Sequence, residues 1–560
     1  MNKKRNLTTL GLLTIIILLL NFISSFVFYR LDLTTEKRYT LSKATINLLE
    51  KLDDVVYVKV YLEGSFPAGF KQLRNQTKEM LDEFRIYAHD NIEYEFIDPS
   101  EKVDKTQQKK IYESLSKRGL QPINLEVKQE TGTSQQLIWP GAIVSYRGRE
   151  LPWQLLKTQI GRSSEMQLNN SIQALEYEFA SCIKSLIRIK KPIVAFVNYN
   201  RQLDTLSLAD LKKELSNFYI TKTISINGNS HALDSVKTLI IDKPDTTFSE
   251  QDKLVIDQFV MKGGSVLWAI DALNTNIDTL IAKSWTLATP YNLNIEDLLF
   301  KYGVRINNDM LVDMQSSAIP VNKATPGQEP RFELMQWVFF PLLTPANNHP
   351  ISKNIDVVKV EYASTIDTIG TKNINKTVLL RSSQFSKILP SPVRIYLQMV
   401  LQQPNEAMFT DSYKPVAVLL EGSFESAYKN RVLPKLNNYK PGDFKEKSVP
   451  GKMIVIADGD ILRNEIKFSN HTPEPLGYDK YTNQTYGNKN FILNCINYLC
   501  DDSGLMQVRA KELTLRLLDK KKVKEERFKW QMVNTVLPLL LIILFAIVQY
   551  IIRKRKYTGE

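Results

Sequence analysis

The sequence predicts an α/β protein held in a membrane by two spans, with a large extracytoplasmic part. That part reads as a small mixed βαβαββ domain followed by a doubly wound α/β domain. Three observations carry this expectation. Leu7–Tyr29 runs 23 residues and Val533–Ile552 runs 20 without a charge, each enough to cross the roughly 30 Å hydrocarbon core as a helix. Lys3-Lys4-Arg5 and Arg553-Lys554-Arg555-Lys556 lie outside the pair, and short basic tails stay in the cytoplasm. Between the spans, short apolar runs alternate with amphipathic stretches at the spacing of strand–helix–strand units.

In chain order, the division is a cytoplasmic tail (1–6), a first span (7–29) and an N-terminal periplasmic α/β domain (30–168). A connecting helix (169–187), a larger α/β domain (188–505) and a membrane-proximal helix (506–532) follow. The second span (533–552) and a cytoplasmic tail (553–560) close the chain. The first span has two readings, a retained anchor or a signal peptide cleaved near Ser25. Its apolar run exceeds an ordinary signal-peptide core, which favours the anchor.

In the first domain, Val55–Leu62 is a β-branched strand, and Gly64-Ser65-Phe66-Pro67 turns into an amphipathic helix with Leu73, Thr77, Leu81 and Phe84 on one face. Ile92–Ile97, a helix near 105–118 and strands near 122–129 and 138–147 follow, with a turn at Tyr146-Arg147-Gly148-Arg149. The order is thioredoxin-like, but no CxxC is present to run thiol chemistry. Asn170 and Gln173 suit the start of the connecting helix, whose stripe of Ile172, Leu175, Phe179, Cys182, Ile183 and Leu186 should meet both neighbouring domains.

In the larger domain, Pro192–Val197 is a buried parallel strand by composition, and 219–226, 236–242 and 265–270 continue the pattern. Ser249 with Asp252 resembles a capping box for the helix carrying Val255, Ile256 and Phe259. Six prolines between 320 and 350 mark that stretch as loop. Strands recur near 357–363, 376–381, 414–420 and 453–457, and 490–500 is a helix.

Composition narrows the function. The net charge is +13; the two tails hold +3 each and leave +7 across the middle. No basic stripe interleaved with aromatics appears, so nucleic acid is not an expected partner. Cys182, Cys495 and Cys500 have no metal or disulfide spacing, and the four histidines are scattered, so no metal and no cofactor are expected. No GxxxxGK[ST] is present to cradle ATP. The doubly wound domain is glutamine-amidotransferase-like, yet no Ser or Cys sits on a glycine-flanked elbow after a strand. No catalytic residue is therefore expected, and the chain reads as a non-enzyme.

Ligands of open α/β sheets bind beyond the carboxyl ends of the strands. Asn198, Tyr199, Asn200, Asp242, Asp271, Asp458 and Asp460 fall at such ends, where two or three aspartates could meet a cation or polar ligand. Asp and Asn are equally common there as turn and cap residues. In the terminal helix, Trp530, Asn534 and Gln549 are candidate contacts for a permease, because polar groups in a span favour helix–helix packing.

Several stretches resemble the GldG family of gliding-motility-associated, substrate-binding-type auxiliary proteins of ABC transporters. They are YEFIDPS (94–100), the run 169–198, FSEQDKLVIDQFVMKGGSVLWAID (248–271), IVIADGDILRN (454–464), GNKNFILNCINYL (487–499) and the end at 537–557. The resemblance implies a non-catalytic auxiliary subunit of the inner membrane, required for gliding motility. Its implied partners are an ABC permease, a separate ATP-binding subunit, inner-membrane lipid and other gliding or secretion components. A similar domain in an intraflagellar transport subunit serves assembly, again an interaction role by analogy. The alternative is a membrane-tethered periplasmic hydrolase acting on cell-envelope material; a cleft with two convergent carboxylates would favour it.

Overall fold

Six strands build the N-terminal part: β1 (Val56–Val60), β2 (Ile92–Phe96), β3 (Ile123–Gln129), β4 (Gly132–Ile138), β5 (Gly141–Tyr146) and β6 (Arg149–Gln154). The helices up to this domain's end are α1 (Asn2–Ser24), α2 (Lys43–Leu49), α3 (Ala68–Tyr87), α4 (Lys105–Lys117) and α5 (Ser164–Ile187). The computed structural model describes residues 2–24, 40–510 and 520–558, apart from 65, 101–103, 130–131, 158–162, 189, 198, 200–204, 276, 325–327, 372, 403, 441 and 468. The chain divides into two units, Met1–Glu512 and Leu513–Glu560.

Four of the six strands form one sheet in the order β2-β1-β5-β6. β1 and β2 are parallel, with Val58 opposite Tyr94, and β5 runs antiparallel to both β1 and β6. β3 and β4 stand apart as a hairpin, so the strand count exceeds the expected βαβαββ. The polar run Thr133-Ser134-Gln135-Gln136 hides β4, because it lacks the apolar alternation that announces a half-buried strand. α3 buries Leu73, Thr77, Leu81 and Phe84 as its spacing requires.

The connecting helix α5 begins earlier than expected. Ser163, not Asn170, caps it, the Oγ accepting the Met166 amide at 3.3 Å. The Phe179 ring lies 4.9 Å from that of Phe84 and stacks 5.0 Å from Trp153. At the far end of α5, Lys184 reaches Asp501 at 2.6 Å. One continuous core thus runs from β1 through α5 into the larger domain.

That domain adds β7 (Ile193–Val197), α6 (Ala209–Ser216), β8 (Ile220–Ile224), β9 (Val236–Asp242), α7 (Glu250–Met261) and β10 (Ser265–Ala269). Ser249 caps α7, its Oγ accepting the Asp252 amide at 3.1 Å. β8, β7, β9, β10 and the strand Gly451–Ile456 are parallel neighbours in that order. Apart from β8, an edge strand, these strands are nearly continuous apolar runs, because helices or other chain cover both faces. Leu239, Ile240, Val266, Leu267, Trp268, Ile454 and Val455 have no solvent exposure.

The sheet continues beyond Gly451–Ile456 with antiparallel strands Pro415–Gly422, Ile374–Arg381, Phe332–Pro345 and Ser316–Asn322. The proline-rich region expected to be loop therefore contains a 14-residue strand and its edge partner. Pro341 is tolerated because its position uses only the carbonyl, which accepts the Val360 amide at 3.0 Å. Pro320 lies on the edge strand, where an absent N–H disturbs least. A second core gathers beneath this extension around Trp337, Phe340, Met310 and Ile395.

In the second unit, Lys520–Thr558 is one helix. Among the described residues, only its Lys522–Arg555 portion is long and apolar enough to cross a membrane. The apolar stretch within α1 is shorter, Thr8–Leu19, and residues 25–29 of the expected first span lie outside the described residues.

Candidate functional site

Parallel strands bring their carboxyl ends to one edge of the sheet, and charged residues collect there. Asp271 follows β10, Asp458 and Asp460 follow Gly451–Ile456, and Lys243 follows β9. One carboxylate oxygen from each of Asp271, Asp458 and Asp460 lies within 4.8 Å of the other two. Lys243 Nζ sits between two of them, 3.1 Å from Asp271 Oδ2 and 2.5 Å from Asp460 Oδ2. The Gly459 amide donates to Asp271 Oδ1 at 2.5 Å, and the amides of Asp460 and Glu361 donate to Asp458 at 2.9 and 3.3 Å.

The backbone is shaped to allow this packing. Lys243 has φ +41, a conformation that side chains disfavour. A Cβ on Gly459 would lie 2.5 Å from the Lys243 Cβ, so only glycine permits the approach. Such local strain persists where surrounding contacts over-determine it.

Electrostatics divides the three carboxyls. Burial, then the charges of Asp271 and Asp460, push Asp458 well above the ordinary carboxyl range, against the pull of Lys243. Burial works against the Lys243 ammonium, but the charges of Asp271 and Asp460 and their hydrogen bonds hold it above an ordinary lysine. The network extends through Glu361 to Lys359, which lies 2.9 Å from both Glu361 and Asp479 and 4.8 Å from the Phe340 ring centroid. Asp479 also accepts from Ser317 Oγ at 2.9 Å. Chemically, the arrangement is a buried, internally compensated ionic cluster in which Lys243 provides the cation.

The structure brings together three of the expected site residues and separates the rest. Asp242 ends β9 but is not among the converging carboxyls. Tyr199 donates its hydroxyl to Asp252 and stacks on Phe248 at 4.0 Å, which makes it a packing residue. Asn198 and Asn200 lie outside the described residues. Trp530 donates to Glu526 at 2.9 Å, and Asn534 and Gln549 are exposed on the terminal helix. Sequence reasoning missed Lys243, Glu361 and Lys359. The one available signal was Lys243-Pro244 directly after the apolar run of β9.

Asp242 yields a test of this electrostatic picture. Burial raises its carboxyl to about 7, and its Oδ1 has no hydrogen-bond partner. A raised native value means that stability is fully present below about pH 3.9 and is lost as the pH climbs through 7. Asp242→Asn mimics the neutral form. The variant should be more stable than the parent by about 4 kcal/mol above pH 7 and nearly equal to it near pH 4. Denaturant melts at the two pH values check this; a gain of the same size at both would refute the cause.

Cavities add little to the cluster. One of about 40 Å³ lies beside it, lined by Ile270, Ala272, Tyr291, Leu299 and Arg305. A larger one, about 210 Å³, lies away from the charged network, between Leu233, Lys237, Phe259 and Lys262.

Comparisons place the chain among known proteins. Residues 35–145 match a domain of unknown function. An uncharacterized protein of Borreliella burgdorferi is 22% identical over 449 residues, spanning 77% of this chain and 80% of that one. The mmIFT52 N-terminal domain is 15% identical, with a TM-score of 0.31 over 55% of this chain and 96% of that domain, a likeness too slight to transfer a fold or a role. Residues 191–495, more than half of the chain and the segment that holds the carboxylate cluster, match the ABC-transporter auxiliary family described as an ABC-type uncharacterized transport system, and the protein belongs to that family.

Proposed function

We propose that this protein is a non-catalytic, membrane-anchored auxiliary subunit of an ABC transporter complex of the gliding-motility type. It works beside a separate ATP-binding subunit and a multi-span permease in the inner membrane. Two spans hold it, both termini are cytoplasmic, and residues 30–532 form the periplasmic part. The small domain is thioredoxin-like without redox cysteines, and the larger one is glutamine-amidotransferase-like without a nucleophile elbow.

The observation that carries the non-catalytic reading is Lys243. At the sheet edge where α/β proteins bind ligands, its ammonium occupies the space between Asp271 and Asp460. The hydrolase reading rests on the same convergent carboxylates. It is less well supported, because Asp458 is fully buried, Asp271 and Asp460 are 9% and 8% exposed, and a lysine stands between the latter two.

Isolation of the tagged full-length chain from native membranes tests the proposal. The expected result is co-isolation of a permease and an ATP-binding subunit. Recovery of the chain alone, with a cell-envelope hydrolase activity that Asp458→Asn abolishes, would reverse the choice.

A further inference from the structure

The helix Lys520–Thr558 sorts its polar residues by face. At 3.6 residues per turn, Gln531, Asn534, Thr535 and Gln549 fall within a sector of about 100°. Within the span 533–552 these include every polar side chain except Tyr550. Pro538 lies on the same sector and is inside the helix. Lacking an N–H, it leaves the carbonyl of Asn534, four residues earlier, without its helical donor. Thr535 Oγ1 turns back to the Gln531 carbonyl at 2.8 Å, so the next turn up is already paired. The freed carbonyl and two side-chain amides therefore share one line along an otherwise apolar surface that includes Ile542 and Phe545.

The charges before the span sort the same way. On the opposite side, Lys522 and Lys529 lie three or four residues from Glu525 and Glu526, the spacing at which helix neighbours pair. Trp530, bonded to Glu526 at 2.9 Å, lies on the border between the two sides, about 40° from Asn534. Lys524 and Arg527 lie on the polar sector and have no carboxylate three or four residues away in either direction. The cations with no carboxylate at helical pairing distance in sequence and the polar groups of the span thus form one stripe.

We infer that this stripe is the docking face for a transmembrane helix of a different protein. That helix carries carboxylates level with Lys524 and Arg527 and hydrogen-bonding side chains level with Asn534 and Gln549. The inference rests on the membrane-anchored reading above and adds to it the face used and the chemistry of the partner. Lipid tails cannot satisfy a free carbonyl or an amide, and an unsatisfied backbone group in hydrocarbon costs several kcal/mol. A second copy packed in parallel about a twofold axis would set Lys524 and Arg527 against themselves, which is repulsive. Only an acidic partner answers both halves of the stripe. Trp530, beside Asn534 at the edge of the sector, is then an interfacial anchor flanking the docking face.

Photocrosslinking side chains placed singly in the full-length protein in native membranes test this. Ile542 and Phe545 lie in the sector, and Leu540 and Ile547 lie opposite. The expected result is an adduct to a different membrane protein from 542 and 545, about tenfold weaker from 540 and 547. Mapping should place a carboxylate at the Lys524 end of the captured helix. Lys524→Glu with Arg527→Glu should lower adduct yield about tenfold, and Lys522→Glu with Lys529→Glu should not. Adducts of twice the chain's own mass, lipid adducts alone, or equal yields from both faces would each overturn the inference. A face-specific adduct to a protein that is no transport component would leave the face standing and refute the transporter reading. A permease still recovered at full yield with the Lys524→Glu, Arg527→Glu pair would do the reverse.

Discussion

Lys243→Met should destabilise the larger domain by about 3–5 kcal/mol, the range for breaking a buried ion pair from one side. Methionine keeps the length and apolar stem of lysine but removes the charge that Asp271 and Asp460 share. The lysine side chain is 13% exposed and the two carboxylates less, so water cannot replace it. The native ammonium is held above its ordinary value. Its contribution is therefore complete below about pH 10.4 and is lost only as the pH rises through that higher native value. The gap between parent and variant should stay constant from about pH 6 to 9. Urea melts of the full-length protein would show it. A loss below about 1 kcal/mol would reduce these pairs to the worth of exposed ones.

A loss of similar size, about 3–5 kcal/mol, is expected for Asp257→Ala. Asp257 is fully buried in α7, and four donors converge on it. Tyr302 Oη and the Ala427 amide each lie 2.9 Å from Oδ1, and Ser426 Oγ and Gln258 Nε2 lie 2.6 and 3.0 Å from Oδ2. Alanine orphans all four and unties α7 from the 424–428 segment. Burial raises the Asp257 carboxyl, while Ser426, Ala427, Tyr302 and Gln258 pull it back. Since its native value is raised, the stability due to Asp257 is fully present below about pH 3.9 and falls as the pH passes the native value. The gap between parent and alanine variant should therefore be widest in acid and narrow toward neutrality. A gap that widens with pH would contradict burial as the cause.

The elements best read from sequence were those where local pattern and tertiary role agree. β7, β9 and β10 are uninterrupted apolar runs because they lie in the middle of a sheet covered on both faces. Ser249 announces α7 because its cap is a contact within one turn. The misreadings have a common cause in contacts that sequence does not display. Phe332–Pro345 looked like loop because proline signals a break, yet a strand tolerates it wherever the partner needs only a carbonyl. At the candidate site, Asp271, Asp458 and Asp460 were legible from strand ends. Asp242 occupies an equivalent position but is not among the converging carboxyls. Lys243, which decides what the cluster can do, was missed because its one local signal, a following proline at a strand end, reads equally well as an ordinary turn.

The pairing of the central strands also sets an order of events for the growing chain. Val266 lies opposite Met453, almost two hundred residues later. β10 is flanked on one side by β9, made shortly before it, and on the other only by Gly451–Ile456. Until that late strand arrives, β10 is an open edge of buried-type residues, Val266, Leu267 and Trp268, which templates wrong pairings. Closing such long loops is slow, and half-made parallel sheets are prone to aggregate. Within that sheet, the antiparallel strands Ser316–Asn322, Phe332–Pro345, Ile374–Arg381 and Pro415–Gly422 lie in chain order and can assemble as they emerge. Synthesis of this protein thus contains a waiting period, during which a hydrophobic strand edge stays without its final partner.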